Sequence, residues 1–411
     1  MTPKPASSKI AVLAQLCKLI PATMVTRLAA QHGVDKKARS FSPFSHLVAM
    51  LLAQLSRASS LNDVCDNAHL HQSKLNALGA TAPSRNGLAH ANKVRSSEMA
   101  QALFWDVLEH LKAVAKGFGG RTYKGLPRRL KRVIHVIDST TIQLVANCLD
   151  WAHHKRSKAG VKVHMRLDLR SFLPSMVLID TARPHDNKFA RELCAAVRAC
   201  EVVLFDKAYL AFAHLFELTQ RGVWWVSRAK DNQKYRVKKR LLRKAQGAIV
   251  RDDLIVLTGK VTAGRYPQPL RRVVAWVEVD GQEQLMEFLT NNLTWASSTV
   301  CDLYKSRWAI EAFFKQIKQT LQLCDFLGHT KNAIQWQIWT GLLVYLLLRF
   351  LAWSHDWSHS FNRLVAITRA TLWSLLDLHK LLVSYGTAGG HFRLLSGPEQ
   401  LYLPGLRPVD A

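Results

Sequence analysis

The chain has 411 residues, with 57 Lys and Arg against 29 Asp and Glu, for a formal net charge of +28. Its length allows two or three domains with a large buried core. Its charge excludes an ordinary near-neutral surface and points to a polyanionic partner, either nucleic acid or an anionic membrane face. Seven cysteines (Cys17, Cys65, Cys148, Cys194, Cys200, Cys301 and Cys324) are odd in number and form no C-x-x-C pair. That pattern argues against a disulfide framework or a zinc finger and fits a reducing compartment. The N-terminus has no small-residue cleavage site after a long apolar core, so no signal peptide is expected.

Helices are expected across 40–115. Ser42 is placed to cap one of them, with Pro43 at its first position, and Ser96 or Ser97 to cap another. The polar, basic stretch PSRNGLAHANKVR lies between them. This small helical domain suits either DNA contact or packing against the rest of the chain. The Gly-rich, basic GFGGRTYKGLPRRL, 117–130, reads as a boundary. Strands follow in KRVIHVIDSTTIQLV, in VKVHMRLDLR and in FLPSMVLIDTA. In the second, Val161, Val163, Met165 and Leu167 alternate onto one face. NKFARELCAAVRAC reads as a helix, EVVLF as a buried strand, KAYLAFAHLFELTQRG as a helix closed by Gly222, and WWVSRA as a strand. The order predicts a mixed α/β sheet with helical cover.

Between 233 and 294 the pattern becomes β-rich, with strands in LIVLTGKV, LRRVVAWVEVDG and EQLMEFLTN and one helical stretch, KKRLLRKAQG. Helices return at 297, where Ser297 or Ser298 is placed to cap a helix over 299–323. The apolar window 338–353 falls short of the ~20 residues that span a bilayer and contains Arg349, so it reads as a core helix. No basic amphipathic anchor stands out, so no membrane partner is expected. The expected domains are a helical N-terminal region over 1–125, the first part of a catalytic core over 126–232, and a β-rich insertion over 233–295. A helical completion over 296–385 and a tail over 386–411 follow.

Acidic residues are the informative exceptions in so basic a chain. Asp138 and Asp206 each follow an apolar strand, where a carboxylate is costly unless paired or bound to a cation. Singly, Asp206 would serve as a helix N-cap and Asp138 as the start of an Asx-turn. On the helix over 299–323, Tyr304, Arg307, Glu311 and Lys318 are spaced 3, 4 and 7 and form one stripe. Taken alone, Glu311 is explained by i,i+4 pairs with Arg307 and Lys315 worth ~0.2–0.5 kcal/mol each. Taken together, three acids in strand, strand, helix order suit phosphodiester hydrolysis in a basic cleft, where two Mg²⁺ ions held by carboxylates activate water and stabilise the leaving oxygen.

The motif Tyr304-x2-Arg307-x3-Glu311-x6-Lys318 resembles the Y-R-E-K signature of bacterial insertion-sequence transposases of the DDE type, family four in the usual numbering. Asp138-Ser139-Thr140 and Asp206-Lys207-Ala208-Tyr209 resemble that family's first and second acid motifs, with Ala208 where many relatives carry Gly. The likeness covers about 130–350, and SFSPFSHLVAMLLAQLS resembles the N-terminal domain of one branch. The resemblance implies a ribonuclease H-like mixed-sheet core with an inserted β-rich subdomain and a helical N-terminal domain. It implies cut-and-paste transposition, with Asp138, Asp206 and Glu311 holding two Mg²⁺ ions and Mn²⁺ as a substitute. Tyr304, Arg307, Lys315 and Lys318 would contact DNA near the scissile bond, and Trp276 or Trp295 would hold a flipped base. The basic loop with Lys155, Arg156 and Lys158 suits phosphate contact, as do His153 and His154. The implied partners are the terminal inverted repeats and target DNA, with two protomers pairing two ends in the bacterial cytoplasm at the nucleoid. The rival readings are a nuclease on the same fold that does not join strands and a DNA-binding protein without catalysis. Asp168, Asp180 and Asp186 are alternative acids that suit turns and surface.

Overall fold

The computed structural model describes residues 6–34, 36, 40–120, 131–144, 148–155, 158–182, 186–279, 281–320 and 327–384. They form two compact units. One comprises the described residues of Met1–Phe118, Ile142–Val161 and Phe314–Leu395; the other comprises those of Gly119–Thr141 and Lys162–Phe313.

The first unit is built around one long helix, Lys331–Ser354. Its 24 residues are long and apolar enough to cross a membrane by length and composition, but 89% of its apolar window is buried inside the protein. A helix that is apolar all round needs neighbours on every side, and the N-terminal helices Pro43–Ser56, Arg85–Val94 and Ser97–Val114 supply them. Ser42 caps the first of these by accepting from the Ser45 N–H, with Pro43 following, as expected. Ser96, of the two candidates, caps Ser97–Val114. The polar stretch between them is itself a helix, Arg85–Val94, which buries Leu88 and Ala91.

Polar groups fix the register of this packing. Asn332 Nδ2 donates to the carbonyls of Asn92 (2.9 Å) and Arg95 (2.6 Å), and its Oδ1 accepts from the Ser97 N–H (2.8 Å). Trp336 is fully buried, and its Nε1 donates to the Arg95 carbonyl at 2.7 Å.

The second unit carries most of a ten-stranded sheet. Its strands are β1 (Ile134–Leu144), β2 (His153–Lys155), β3 (Lys158–Asp168), β4 (Leu173–Thr181), β5 (Val202–Phe205), β6 (Trp224–Arg228), β7 (Tyr235–Arg240), β8 (Ile249–Leu257), β9 (Leu270–Val279) and β10 (Gln282–Thr290). The order is β2-β3-β1-β5-β6-β10-β9-β8-β7, with β4 also on β3. β5 runs parallel to both β1 and β6. The run β4-β3-β1-β5-β6 is the ribonuclease H-like arrangement.

The β-rich segment continues that same sheet. β10 pairs antiparallel with β6 through Phe288, Leu289 and Thr290, the buried end of a strand whose start is exposed. Three local expectations differ from the structure. KKRLLRKAQG is not helical: its first residues end β7, because pairing with β8 outweighs local propensity. The helix expected over 187–200 shortens to Ala190–Cys194. The helix from Ser297 starts after Ala296, with no side-chain cap. The six described cysteines are all free.

Trp336→Ala removes a fully buried indole and its bond to Arg95. It should cost about 3–5 kcal/mol, read as a large drop in the urea midpoint of the helical unit.

Candidate active site

Parallel pairing of β1 and β5 sets Ile137 beside Phe205, so the next residues, Asp138 and Asp206, stand on neighbouring chains. β5 is buried throughout and ends at Phe205. β1 does not end at Asp138 but continues to Leu144, half-buried from Asp138 through Thr141. Asp206 opens a tight 3-10 turn over Lys207–Tyr209, and its side chain makes no cap bond, so helix capping does not account for this carboxylate. Asp138 does make a local turn contact, since its Oδ1 accepts from the Ser139 N–H at 2.7 Å. Its Oδ2 is left to accept from Arg307 at 3.0 Å.

The helix expected over 299–323 is two helices, Ser297–Ser306 and Trp308–Thr320, broken at Arg307. Here the bonds tighten: the Arg307 N–H reaches Tyr304 O at 3.0 Å, and the Ile310 N–H reaches Arg307 O at 3.1 Å. The Arg307 side chain, 7% exposed, forks between two acids. Nη1 donates to Asp138 and Nη2 to Glu311 Oε1 at 2.6 Å. The guanidinium lies 5.4 Å from the Tyr304 ring centroid and 5.9 Å from that of Trp308. Tyr304 is buried against Phe288, at 4.8 Å between centroids.

The expectation that Tyr304 and Arg307 face DNA phosphates therefore differs from the structure. The helix Ser297–Ser306 packs on β6, β8, β9 and β10 and carries Tyr304 into the core. A guanidinium among carboxylates gains more as their counter-ion than at the surface.

The electrostatics bring in the third acid. Burial pushes the Asp138 carboxyl up to about 6; Arg307 and the Ser139 N–H oppose this, while Asp206 and Glu311 add to it. Burial works against the charge on Arg307, yet Tyr304, Asp138, Glu311 and Asp206 together hold it above its ordinary range. Burial pushes the Tyr304 phenol up to about 12. Among the described residues, no three acid, His or Cys side chains already form a metal cage. The Arg307 fork stands between two of the acids that would have to converge.

A second cluster adjoins Asp138. Asp186 Oδ1 lies 2.5 Å from Lys162 Nζ, accepts from Ser139 Oγ at 3.2 Å and lies 3.7 Å from His164 Nδ1. His164 is fully buried, 3.2 Å from the Tyr209 hydroxyl and tilted against the Phe189 ring at 4.1 Å between centroids, and burial lowers its pKa to about 4. Asp186 is thus committed to Lys162 and Ser139. Asp168 accepts from the Arg170 N–H and guanidinium at the β3–β4 turn, and Asp180 accepts from the Thr181 N–H.

Lys162 and His164 escaped the sequence reading although alternation places them opposite Val163 and Met165. The missing information was that β3 is buried on both faces, as His164 and Arg166 show.

The remaining candidates lie elsewhere. Lys315 is exposed one turn beyond Glu311, and Lys318 is half-buried on the same helix. Lys155 and Lys158 pair in register between β2 and β3, and Arg156 lies outside the described residues. Trp276 is 46% exposed, opposite Leu285 of β10, whereas Trp295 packs near Trp224.

A folded-state pKa near 6, above the ordinary 3.8, means the folded chain holds the Asp138 proton longer than the unfolded chain does. Stability from this group is therefore full below about 4 and is lost as pH rises to about 6. In chelator, Asp138→Asn should flatten that decline relative to wild type in urea unfolding across the same window.

The transposase DDE domain family model matches residues 129–347, and a domain of unknown function (DUF4372) matches 8–81. The chain is 29% identical over 286 residues to a Geobacillus stearothermophilus protein that carries the transposase name for insertion sequence element IS5377, covering 69% of this chain and 74% of that one. It is 30% identical over 244 residues to a Sinorhizobium fredii protein that carries the transposase name y4zB, covering 58% and 67%. Likeness to the Escherichia coli transposase InsG of IS4 is 24% over 46% of this chain and 43% of that one, so the family-four assignment is matched only approximately. A piggyBac transposase, solved as a synaptic complex with hairpin DNA, is similar at TM-score 0.44 and 11% identity, over 93% of this chain and 84% of that one. With the DDE model spanning more than half its length, the chain belongs to the DDE transposases of bacterial insertion sequences, enzymes that cleave DNA and transfer strands.

Proposed function

We propose that this transposase works by cut-and-paste, with Asp138, Asp206 and Glu311 as its three catalytic acids. The observation that carries this reading is geometric: the parallel register of β1 and β5 sets Asp138 and Asp206 at neighbouring strands, and Arg307 bonds both Asp138 and Glu311. Hydrolysis at each element end yields a 3′-OH and a 5′-phosphate. The 3′-OH then attacks a target phosphodiester and releases a 3′-OH there.

DDE transposases generally use divalent metal ions. The donor set supports hard cations, because it offers carboxylate oxygens only. The raised Asp138 carboxyl supports them too: burial disfavours its charge, the neighbouring acids add to this, and a divalent cation would offset both. Asp138, Asp206 and Glu311 would hold two Mg²⁺ ions, or Mn²⁺ in their place, and the ions would supply charge neutralisation at the phosphate, activation of the attacking oxygen and stabilisation of the leaving one. Arg307 orients Asp138 and Glu311 for that role. Asp186 steadies the turn at Asp138 through Ser139.

Double-stranded DNA is the partner, as terminal inverted repeats and target. Two protomers pair two ends, and the enzyme works at the nucleoid in the cytoplasm. Lys315, Lys318, Lys155, Arg156 and Lys158 contact phosphates. Trp276 is the better candidate to hold a flipped base, because it is exposed. The helical region 1–125 contributes to DNA binding.

Glu311→Gln should lower Mg²⁺-dependent cleavage of DNA carrying the terminal repeats by more than about 100-fold, with duplex binding unchanged. An acid that serves only its pair with Arg307 would leave cleavage intact and cost at most about 0.5 kcal/mol. Joined products with target DNA separate transposition from simple nuclease action.

A further inference from the structure

We infer that the β7–β8 hairpin is a DNA-backbone contact surface distinct from the acids. β7 is the terminal strand of the sheet. From Tyr235 to Ala248 the hairpin carries Arg236, Lys238, Lys239, Arg240, Arg243 and Lys244 and no acid. All six cations are exposed, and among the described residues none forms an ion pair. The acids that follow on β8 are spent internally: Asp252 pairs with Arg271 at 2.6 Å and Asp253 with Arg272 at 3.2 Å. The hairpin thus bears uncompensated positive charge.

Two further features direct that charge outward. The register shift between Val237 and Lys239 makes Lys238 an extra residue, and such a bulge twists an edge strand away from further strand pairing. The turn also adjoins an exposed aromatic, since the Trp276 N–H donates to the Ala248 carbonyl at 2.8 Å. Basic side chains beside an exposed ring suit a nucleic-acid backbone with a base to stack.

Edge strands also carry charge to prevent aggregation. That need is met by charge of either sign on the strand itself. It does not explain like charges that continue through the turn and repel one another.

The inference rests on DNA as partner but not on the three acids. Its test is fluorescence anisotropy with two labelled duplexes, one of the element's terminal repeat and one of random sequence, across a salt series. One variant combines Lys238→Gln, Lys239→Gln, Arg240→Gln, Arg243→Gln and Lys244→Gln. A second, Lys238→Glu with Lys239→Glu, keeps the edge charged while repelling phosphate. Both should bind either duplex about tenfold or more weakly at about 100 mM salt, and the log–log salt slope should flatten by about 0.9 for each phosphate that the variant no longer neutralises. Wild-type affinity and slope in the folded Glu variant, with or without aggregation of the Gln variant, would overturn the inference and leave edge protection as the hairpin's role. A wild-type chain that binds neither duplex would overturn it together with the transposition mechanism. Hairpin-dependent binding without metal-dependent cleavage would sustain it and fault only the assignment of the acids.

Discussion

One guanidinium holds the candidate site in its present form. Arg307 is buried, and its fork reaches Asp138 on a strand and Glu311 on the helix that follows it. Its pair with Asp138 is shielded, whereas Glu311 is about half exposed; removing one partner of a buried pair typically costs about 3–5 kcal/mol, so the Asp138 bond is the one that the fold depends on. The fold must therefore deliver the strand, the helix break and the arginine to one place. The parallel register of β1 and β5 delivers Asp138 and Asp206. The 3-10 tightening around Arg307 delivers the fork. Even so, the positive charge is insufficient: Asp138 remains well above its ordinary range.

The same economy of acids runs through the sheet. The chain has about half as many acidic as basic residues, and several of the acids lie inside. Asp252 and Asp253 are buried against Arg271 and Arg272, Glu287 joins the second pair at Arg272 Nε (2.8 Å), and Arg272 also stacks over Tyr235 at 4.8 Å. These pairs tie β8, β9 and β10 together across the extension. Each buried acid is matched by a buried arginine, so these pairs leave the net charge of the surface unchanged while removing two acids from among the exposed cations.

In the helical unit the binding logic differs. The helix Lys331–Ser354 is stabilised by apolar burial, which is non-directional, and its position is set by a few directed bonds from Asn332 and Trp336 to the chain between Asn92 and Ser97. Helices from the two ends of the sequence share this core, which is why composition and local pattern alone read them as separate segments.

Local chemistry decided much by itself. Ser42-Pro43 starts a helix because a hydroxyl cap and a preset φ act within one turn. Asp138 and Asp206 stand out in the sequence because carboxylates beside apolar strands in a basic chain demand a reason, and Glu311 because it is the one acid in a stripe with Tyr304, Arg307 and Lys318. The apolar run containing Arg349 declares a core helix. Only the tertiary structure decided the rest. Tyr304 and Arg307 share a stripe with Glu311 by spacing, but packing of Ser297–Ser306 on four strands buries them. KKRLLRKAQG has helical propensity, yet its first residues become an edge strand because β8 offers backbone partners. Lys162 and His164 alternate like solvent-facing residues, yet His164 is buried because both faces of β3 are covered. Propensity and spacing act over a few residues, whereas burial and strand pairing depend on partners that the sequence holds tens or hundreds of positions away.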